Sequence, residues 1–474
     1  MNNVTTSATP PPTPADHDAP LDLSQPTDIH LIAIGGAGMA AIAELLHGMG
    51  HTVRGSDMVD SASMDRLRSL GIDAIVGHDA ANIANPAVAM KSTAVPDTNV
   101  EVQALEAQGV TVRHRGDVLA AIAAQKKTVA VAGTHGKTTT TSMLAVICQQ
   151  AEANPSYIIG GVVPDLGSGA RWGSGDWFVL EADESDGSGF GLGHQVSIVT
   201  NVERDHLEFY GTEENLREAF GQFVADSPVA VVCADDAGAV ALAGGSNVVT
   251  YGASEDATYR MGNIERGSSS IAFDLMHDGT SLGTIRVPMP GMHNGLNAAG
   301  ATAAALEMGL SFESCQKGLA TFSGVGRRFD ARGEAGGVTF VDDYAHLPTE
   351  VKAALAAGAD TGHDRLVAVF QPHRYSRTES VWHEFEGCFD DADLLILTDI
   401  YPSGEAPRPG VTGELIVAAA RRSAGHPEII YHRDRSTLPG ALSEILQAGD
   451  LCLTLGAGDL VRIPDEVQPL LAGK

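Results

Sequence analysis

The chain has few cations and few cysteines, and it has no long apolar run. Its 474 residues hold 30 Lys and Arg against 60 Asp and Glu, a formal net charge of −30. That balance argues against broad binding to nucleic acid or to an anionic membrane surface, both of which draw on clustered Lys and Arg. An anionic substrate would need local Arg or Mg²⁺. No window approaches the ~18 uninterrupted apolar residues of a membrane span. The opening stretch "MNNVTTSATPPPTPADHDAPLDLSQPTD" has neither a basic start nor an apolar segment, so a secretory signal is not expected. It reads as a disordered Pro/Thr/Asp tail over residues 1–28. The five cysteines (Cys148, Cys233, Cys315, Cys388 and Cys452) are scattered, odd in number and without metal-type spacing. Core or surface thiols in a reducing cytoplasm are the expectation, and the location expected is cytoplasmic.

What is present is an α/β pattern that starts three times. From Ile29 to about residue 125, short strands and helices alternate around "IAIGGAGMAAIAELL", as in a Rossmann-like doubly wound sheet. From 126 to about 330 a fresh strand leads into "VAVAGTHGKTTTTSMLAV", and later strands end in polar clusters, as in a P-loop ATPase-type parallel sheet. From about 331 to 474 a third, Rossmann-like αβ pattern begins.

The first loop, Gly36-Ala37-Gly38-Met39-Ala40-Ala41, matches G-x-G-x-x-A, whose glycines let the backbone approach a pyrophosphate at a helix start. Asp57 stands about twenty residues on, where a ribose-binding acid would fall. A redox dinucleotide, another nucleotide diphosphate and a tight structural turn all remain open for this segment. The second loop, Gly133-Thr134-His135-Gly136-Lys137-Thr138, is shorter than the usual phosphate loop, but its physics is the same. Backbone N–H groups and the helix start cradle phosphates, the Lys137 ammonium reaches the outer oxygens, and a threonine hydroxyl suits Mg²⁺. It is a nucleoside triphosphate site. "VLEADESDGS" then ends a strand in four carboxylates, Glu181, Asp183, Glu184 and Asp186, which repel unless cations sit among them. Glu181 is the expected Mg²⁺ ligand, and His206, just past a strand in "NVERDHLEFYG", suits a second ion.

The ordered series "GTHGKTTTT", "EADESDGS", "NVERDHLEFYG", "MPGMHNGLNAAGA", "GVGRRFD", "DDYAHLPTE", "FQPHRYSRT" and "YPSGE" closely resembles the Mur ligases, over residues 29 to about 465. Within that family it is most similar to the branch that adds the first amino acid of the peptidoglycan stem peptide. The resemblance implies three substrates, ATP, UDP-N-acetylmuramate and L-alanine, with Mg²⁺. It gives the second loop to ATP and the first to the UDP-sugar. Gly133, Thr134, His135, Gly136, Lys137, Thr138 and Thr139 would meet the ATP phosphates, and Thr138, Glu181 and His206 the metal. His293, Asn294 and Asn297 match the motif that meets adenine, and Arg328 and Asp343 match residues reaching ATP from the linker and third domain. Tyr344, His346, His373, Arg374 and Arg377 resemble the group around the incoming alanine, with His346 a candidate base. Gly36, Ala37, Gly38, Met39, Asp57 and His78 would serve the UDP-sugar. Lys137, Glu181, His206 and His346 form the implied catalytic set.

The chain departs from common family patterns at Leu347, Met292, Gly326 and Arg204. Leu347 replaces a second histidine beside His346, which bears on the alanine pocket. No lysine lies between Lys137 and Lys317, so the carbamylated lysine of some sister ligases has no counterpart. A sister ligase that attaches a whole tripeptide shares most of the ATP machinery and is the rival within the family. A redox or nucleotide-sensing Rossmann protein is the rival outside it. A monomer or homodimer is expected, with no nucleic-acid partner.

Overall fold

The structure is a computed structural model and describes residues 21–245 and 247–472. Three sheets follow one another along the chain. The first holds β1 (Asp28–Ile32), β2 (Thr52–Asp57), β3 (Asp73–Val76), β4 (Val88–Lys91) and β5 (Val112–His114) in the order β3-β2-β1-β4-β5, all parallel. The chain builds outward from β1 to one side and then returns to the other. The loop leaving β1 therefore opens on the crevice where its two neighbours diverge, the place where parallel sheets bind ligands. Helix Ala37–Gly48 starts there and buries Met39, Ile42, Ala43 and Leu46, a stripe at helical spacing.

The central sheet contains β6 (Lys127–Ala132), β7 (Ser156–Val163), β8 (Ser168–Arg171), β9 (Trp177–Glu181), β10 (Val196–Val199), β11 (Val229–Cys233), β12 (Val248–Gly252), β13 (Tyr259–Arg266), β14 (Ile271–His277) and β15 (Thr280–Val287). Their order is β15-β14-β13-β12-β11-β10-β6-β9-β7-β8. The middle is parallel as the sequence suggests, but both edges are antiparallel: β8 folds back on β7, and β13, β14 and β15 form a meander. The β14–β15 turn is Asp278-Gly279, both with positive φ, the two-residue hairpin that favours such a pair. β6 lies between β9 and β10, so the loop after it is flanked by the acidic end of β9 and the polar segment after β10.

Helix Lys137–Gln150 is buried from Thr138 to Cys148 although it opens with four β-branched threonines, poor helix formers. Burial is possible because the hydroxyls are satisfied: Thr141 donates to the Lys137 carbonyl (2.7 Å), Ser142 to the Thr138 carbonyl (2.6 Å) and Thr140 to Asn297 Oδ1 (3.2 Å). The helix packs between helices Met292–Glu307 and Phe312–Ala320.

The third sheet holds β16 (Asp330–Ala335), β17 (Val338–Asp343), β18 (Arg365–Phe370), β19 (Leu394–Leu397), β20 (Glu428–Tyr431) and β21 (Asp450–Leu455), ordered β16-β17-β21-β18-β19-β20 with only β16 antiparallel. One apolar core runs through the first and second domains, the first keeping a smaller separate cluster around Ile32, Val102 and Leu105, whereas the third has cores of its own on its two faces. The first two domains thus form one body, and the third meets it mainly through polar side chains.

Of the tail expected over residues 1–28, the first twenty lie outside the described residues. The remainder corrects that boundary: Leu23 is buried in the first core and Thr27 donates its N–H to His51 Nδ1. A single leucine in a polar stretch gives no periodic signal, so its burial was invisible in the sequence. All five cysteines are free and buried. Among the described residues, no helix is long and apolar enough to cross a membrane.

Candidate active site

Two glycines shape the phosphate loop. Gly133 has φ +138° and Gly136 φ +78°, and a Cβ on Gly136 would stand 2.5 Å from Asn297 Oδ1. Only glycine fits either place. The helix begins at Lys137 without a side-chain cap, and Thr140 is the residue whose N–H reaches back to the Gly136 carbonyl (2.9 Å). The N–H groups of the turn before it form the open, electropositive end that suits phosphate oxygens. Lys137 Nζ folds over this end, donating to the carbonyls of Gly133 and Thr134 and to Glu184 Oε1 at 2.8 Å. Burial opposes the ammonium charge, but Glu184 overcomes it and holds the Lys137 pKa above its usual value.

The four carboxylates after β9 sort into two pairs. Asp183 and Asp186 both pair with Arg115 of the first domain, at 3.0 and 2.8 Å. Glu181 and Glu184 face the phosphate loop instead. Glu181 accepts from Thr138 Oγ1 (2.9 Å) and from the Gly160 N–H (2.6 Å), while the buried Glu184 Oε2 has no hydrogen-bond partner. His206, at φ +53°, places Nε2 3.3 Å from Asp205 and 3.9 Å from Glu184. Thr138, Glu181, His206 and Lys137 line one cavity of about 800 Å³. Among the described residues, no three His, Cys, Asp or Glu stand close enough to enclose an ion unaided. A hydroxyl, a carboxylate and an imidazole around an open space fit a hard cation that takes its other ligands from phosphate and water.

A second cavity, about 250 Å³, opens on the other side of the loop. His135, Gly136, Thr138, Thr139, His293, Asn294, Asn297, Arg328 and Asp343, all expected near ATP, line it, and so do Asn201, Tyr251 and Glu350, which were not expected. Asn294 Nδ2 donates to the Pro290 carbonyl at 2.7 Å. Burial lowers the His293 pKa to about 4, so its ring is neutral. Burial also pushes Asp343 up to about 6, against Arg328 and two backbone N–H donors, those of Phe329 and Ala345, each 2.7 Å away.

The third domain brings Tyr344, His346, His373, Arg374 and Arg377 to the large cavity. Arg377 is already engaged: Nη1 donates to His373 Nδ1 (3.1 Å) and Nη2 reaches Asp205 at 3.3 Å. Burial drops His373 to about 3 and His346 to about 4, so both rings are neutral. His346 Nδ1 lies 3.0 Å from the Tyr344 carbonyl, which leaves Nε2 as the free lone pair. Leu347 is 4% exposed and packs in the third domain's own core.

Ala37 and Gly38 line a further cavity of about 300 Å³ between the first and second domains. It shares Gly160, Gly161, Val162, Glu181 and Asp183 with the large cavity, so the space beside the first loop adjoins the space beside Lys137.

Sequence models of the Mur ligases match the chain in three consecutive parts: the family's "catalytic domain" at residues 28–127, its middle domain at 131–305 and its "glutamate ligase domain" at 327–458. A UDP-N-acetylmuramate–L-alanine ligase from Geobacter sp. (strain M21) is 44% identical over 92% of this chain and 95% of its own length. The enzyme of that name from Oleidesulfovibrio alaskensis is 46% identical over 91% and 96%. The chain belongs to the Mur ligase family. The crystal structure of a UDP-N-acetylmuramate–alanine ligase from Thermotoga maritima superposes with a TM-score of 0.77 at 28% identity, covering 93% of this Mur ligase and 98% of that chain. A murein peptide ligase from Psychrobacter arcticus, at 21% identity and a TM-score of 0.66, shares the fold.

Some expected site residues of this Mur ligase stand elsewhere. Met39 is 3% exposed with its side chain in the core, so only its backbone is available to a ligand. Asp57 spends both oxygens on backbone N–H groups, those of Gly35 and Val59, each at 3.0 Å, and so shapes the loop. His78 is tied to Ser56 Oγ (2.8 Å), which donates to the fully buried Glu101 (2.6 Å). Burial opposes that charge, yet His30, Ser56, Asn82 and the Asp79 N–H together hold Glu101 at about 2. None of Met39, Asp57 and His78 lines the cavity beside Ala37 and Gly38. Arg115, Glu101 and Glu350 were missed by the sequence reading, since single charged residues in helices have no local signature.

Proposed function

We propose that this chain joins L-alanine to the lactyl carboxylate of UDP-N-acetylmuramate at the expense of ATP, forming ADP and phosphate, as a step in making peptidoglycan precursor. The observation behind this is that the two cavities adjoin, sharing Gly160, Gly161, Val162, Glu181 and Asp183, which sets a carboxylate carried in from the first loop beside the phosphate loop. The likeness to ligases of that name over the whole chain supports it.

The carboxylate attacks the γ-phosphorus in line, ADP departs and an acyl phosphate forms. Lys137 and the open end of its helix stabilise the charge that spreads over the phosphoryl oxygens. The neutral amine of alanine then attacks the acyl carbon, and phosphate leaves from the tetrahedral oxyanion. Thr138, Glu181 and His206 would hold Mg²⁺, which supplies charge neutralisation to the phosphates. The neutral His346 offers its Nε2 lone pair to the amine; at about 4 it is a weak base, better suited to orienting an amine than to stripping an ammonium. An acyl phosphate hydrolyses readily, and the third domain, docked by polar contacts, serves as the lid that excludes water.

The test is ADP release with UDP-N-acetylmuramate and each amino acid in turn. Release that depends on alanine is expected. Release with a muramyl-directed tripeptide and none with alanine would assign the recycling activity instead. A UDP titration beside an NAD(H) titration separates the ligase from a redox protein.

A further inference from the structure

His135 is the one large side chain between the two loop glycines, and its ring bridges the central and third domains. Its Nε2 lies 3.1 Å from Glu203 Oε2 of the central domain, and its Nδ1 lies 3.1 Å from Glu350 Oε1 of the third. Glu203 in turn accepts from Thr349 Oγ1 at 2.7 Å. Glu350 stands in the first turn of helix Pro348–Asp360 and uses its other oxygen on that helix: Oε2 accepts the N–H of His346 (2.9 Å) and of Leu347 (3.1 Å). The far end of the same helix is fastened as well, by a two-pronged pair between Arg266 of β13 and Asp360, with contacts of 2.8 to 2.9 Å.

A helix cap needs one carboxylate oxygen. Glu350 has a second, turned to a cation on the ATP loop of another domain. We propose that Glu350 is a positioning residue through which the phosphate loop, by way of His135, fixes the His346–Leu347 turn at the amine site, so that ATP on the loop orders the place where alanine binds. The role rests on the ligase activity proposed above. His346 lies in the large cavity and His135 lines the nucleotide cavity, and Glu350 lines both, as Thr138 and Arg328 do. Around the His135 imidazolium and the two carboxylates stand Arg328, Asp343 and the neutral His346 ring, 3.3 Å from Glu350, and the junction holds while His135 carries its proton. The third domain has its own core, so this junction and the Arg266–Asp360 pair at the other end fix the helix ends on the central domain, beside the packing of the helix on Met292–Glu307.

Glu350→Gln keeps the shape and an oxygen for the cap but removes the charge facing His135. His135→Asn removes the cation and leaves the cap untouched. Each variant is expected to raise the alanine KM about tenfold, within the usual range of coupling between sites. Glu350→Gln should leave the ATP dissociation constant measured without alanine within about twofold of the wild type, because the coupling it removes is felt by each ligand only when the other is bound, and the double variant should be no worse than either single one, since both act through one contact. An unchanged alanine KM, an alanine-free ATP dissociation constant that rises by the same factor, or additive effects would overturn the proposal. Hydrogen exchange on the full chain gives a readout that needs no turnover. A non-hydrolysable ATP analogue should slow exchange at the His346 and Leu347 amides in the wild type and not in the two variants; equal protection in all three would refute the coupling. Absence of alanine-dependent ADP release in the wild type would refute the ligase assignment alone, leaving the exchange result to decide the coupling.

Discussion

Arg377 of the third domain and Asp205 of the central domain face each other at 3.3 Å across the large cavity, both largely buried. The guanidinium that would hold a substrate carboxylate therefore already holds a protein one. Alanine, a small zwitterion with little apolar area, would have to take over part of that fork. Arg377→Lys keeps the charge and loses the two-pronged geometry, so the apparent affinity for alanine should fall about tenfold while the ATP constant barely moves. A shift in the ATP constant with no change for alanine, measured by steady-state kinetics, would place Arg377 with the nucleotide.

Lys137→Ala should reduce ADP release by a thousandfold or more, roughly what a lost transition-state cation costs. It also strands Glu184, 3% exposed and 2.8 Å from the ammonium. Removing one member of a buried pair costs roughly 3–5 kcal/mol. The variant should therefore melt below the wild type, and adding Glu184→Gln should restore most of the melting temperature and none of the activity.

His206→Ala should raise the Mg²⁺ concentration needed for half-maximal rate. His206 also sits against Asp205, Glu208 and Glu184, so a merely structural role would show as a lower melting temperature with unchanged Mg²⁺ dependence. Titrating Mg²⁺ at saturating ATP separates the two.

Burial opposes a charge on His135, but Glu350 and Glu203 raise its pKa from 6.5 to about 10. A raised folded-state pKa stabilises fully below the unfolded value. The contribution is lost as pH climbs from 6.5 through 10. The melting temperature of the wild type should thus decline over that window more steeply than that of His135→Asn, and parallel curves would remove the imidazolium from the junction.

What the sequence disclosed is what is local. The loop 133–138 announces itself because strand, glycines, lysine and helix are contiguous, and the structure places Thr138 against Glu181 as two successive strand ends of one sheet require. The Asp278-Gly279 hairpin rests on an equally local pair, yet the parallel pattern around it gave no expectation of an antiparallel edge. Arg115 could not be foreseen, since its pairing with Asp183 and Asp186 exists only once two domains meet. Asp57 stands at the spacing of a ribose-binding acid, and what that spacing could not disclose is that each of its oxygens accepts a backbone N–H of the adjoining loops. Leu347, which departs from the family pattern, turned out to be a core residue, so the missing histidine leaves packing intact.

Asn297 lies where a side chain on Gly136 would have to go, and it accepts the Thr140 hydroxyl from the helix that follows the loop. If Asn297 meets the adenine, as the resemblance implies, base and phosphate recognition are mechanically linked. An attempt to retune this enzyme toward another nucleobase by exchanging Asn297 would also loosen the turn that grips the phosphates, and nucleotide preference could be redesigned only by replacing the loop and the Met292–Glu307 helix as one cassette.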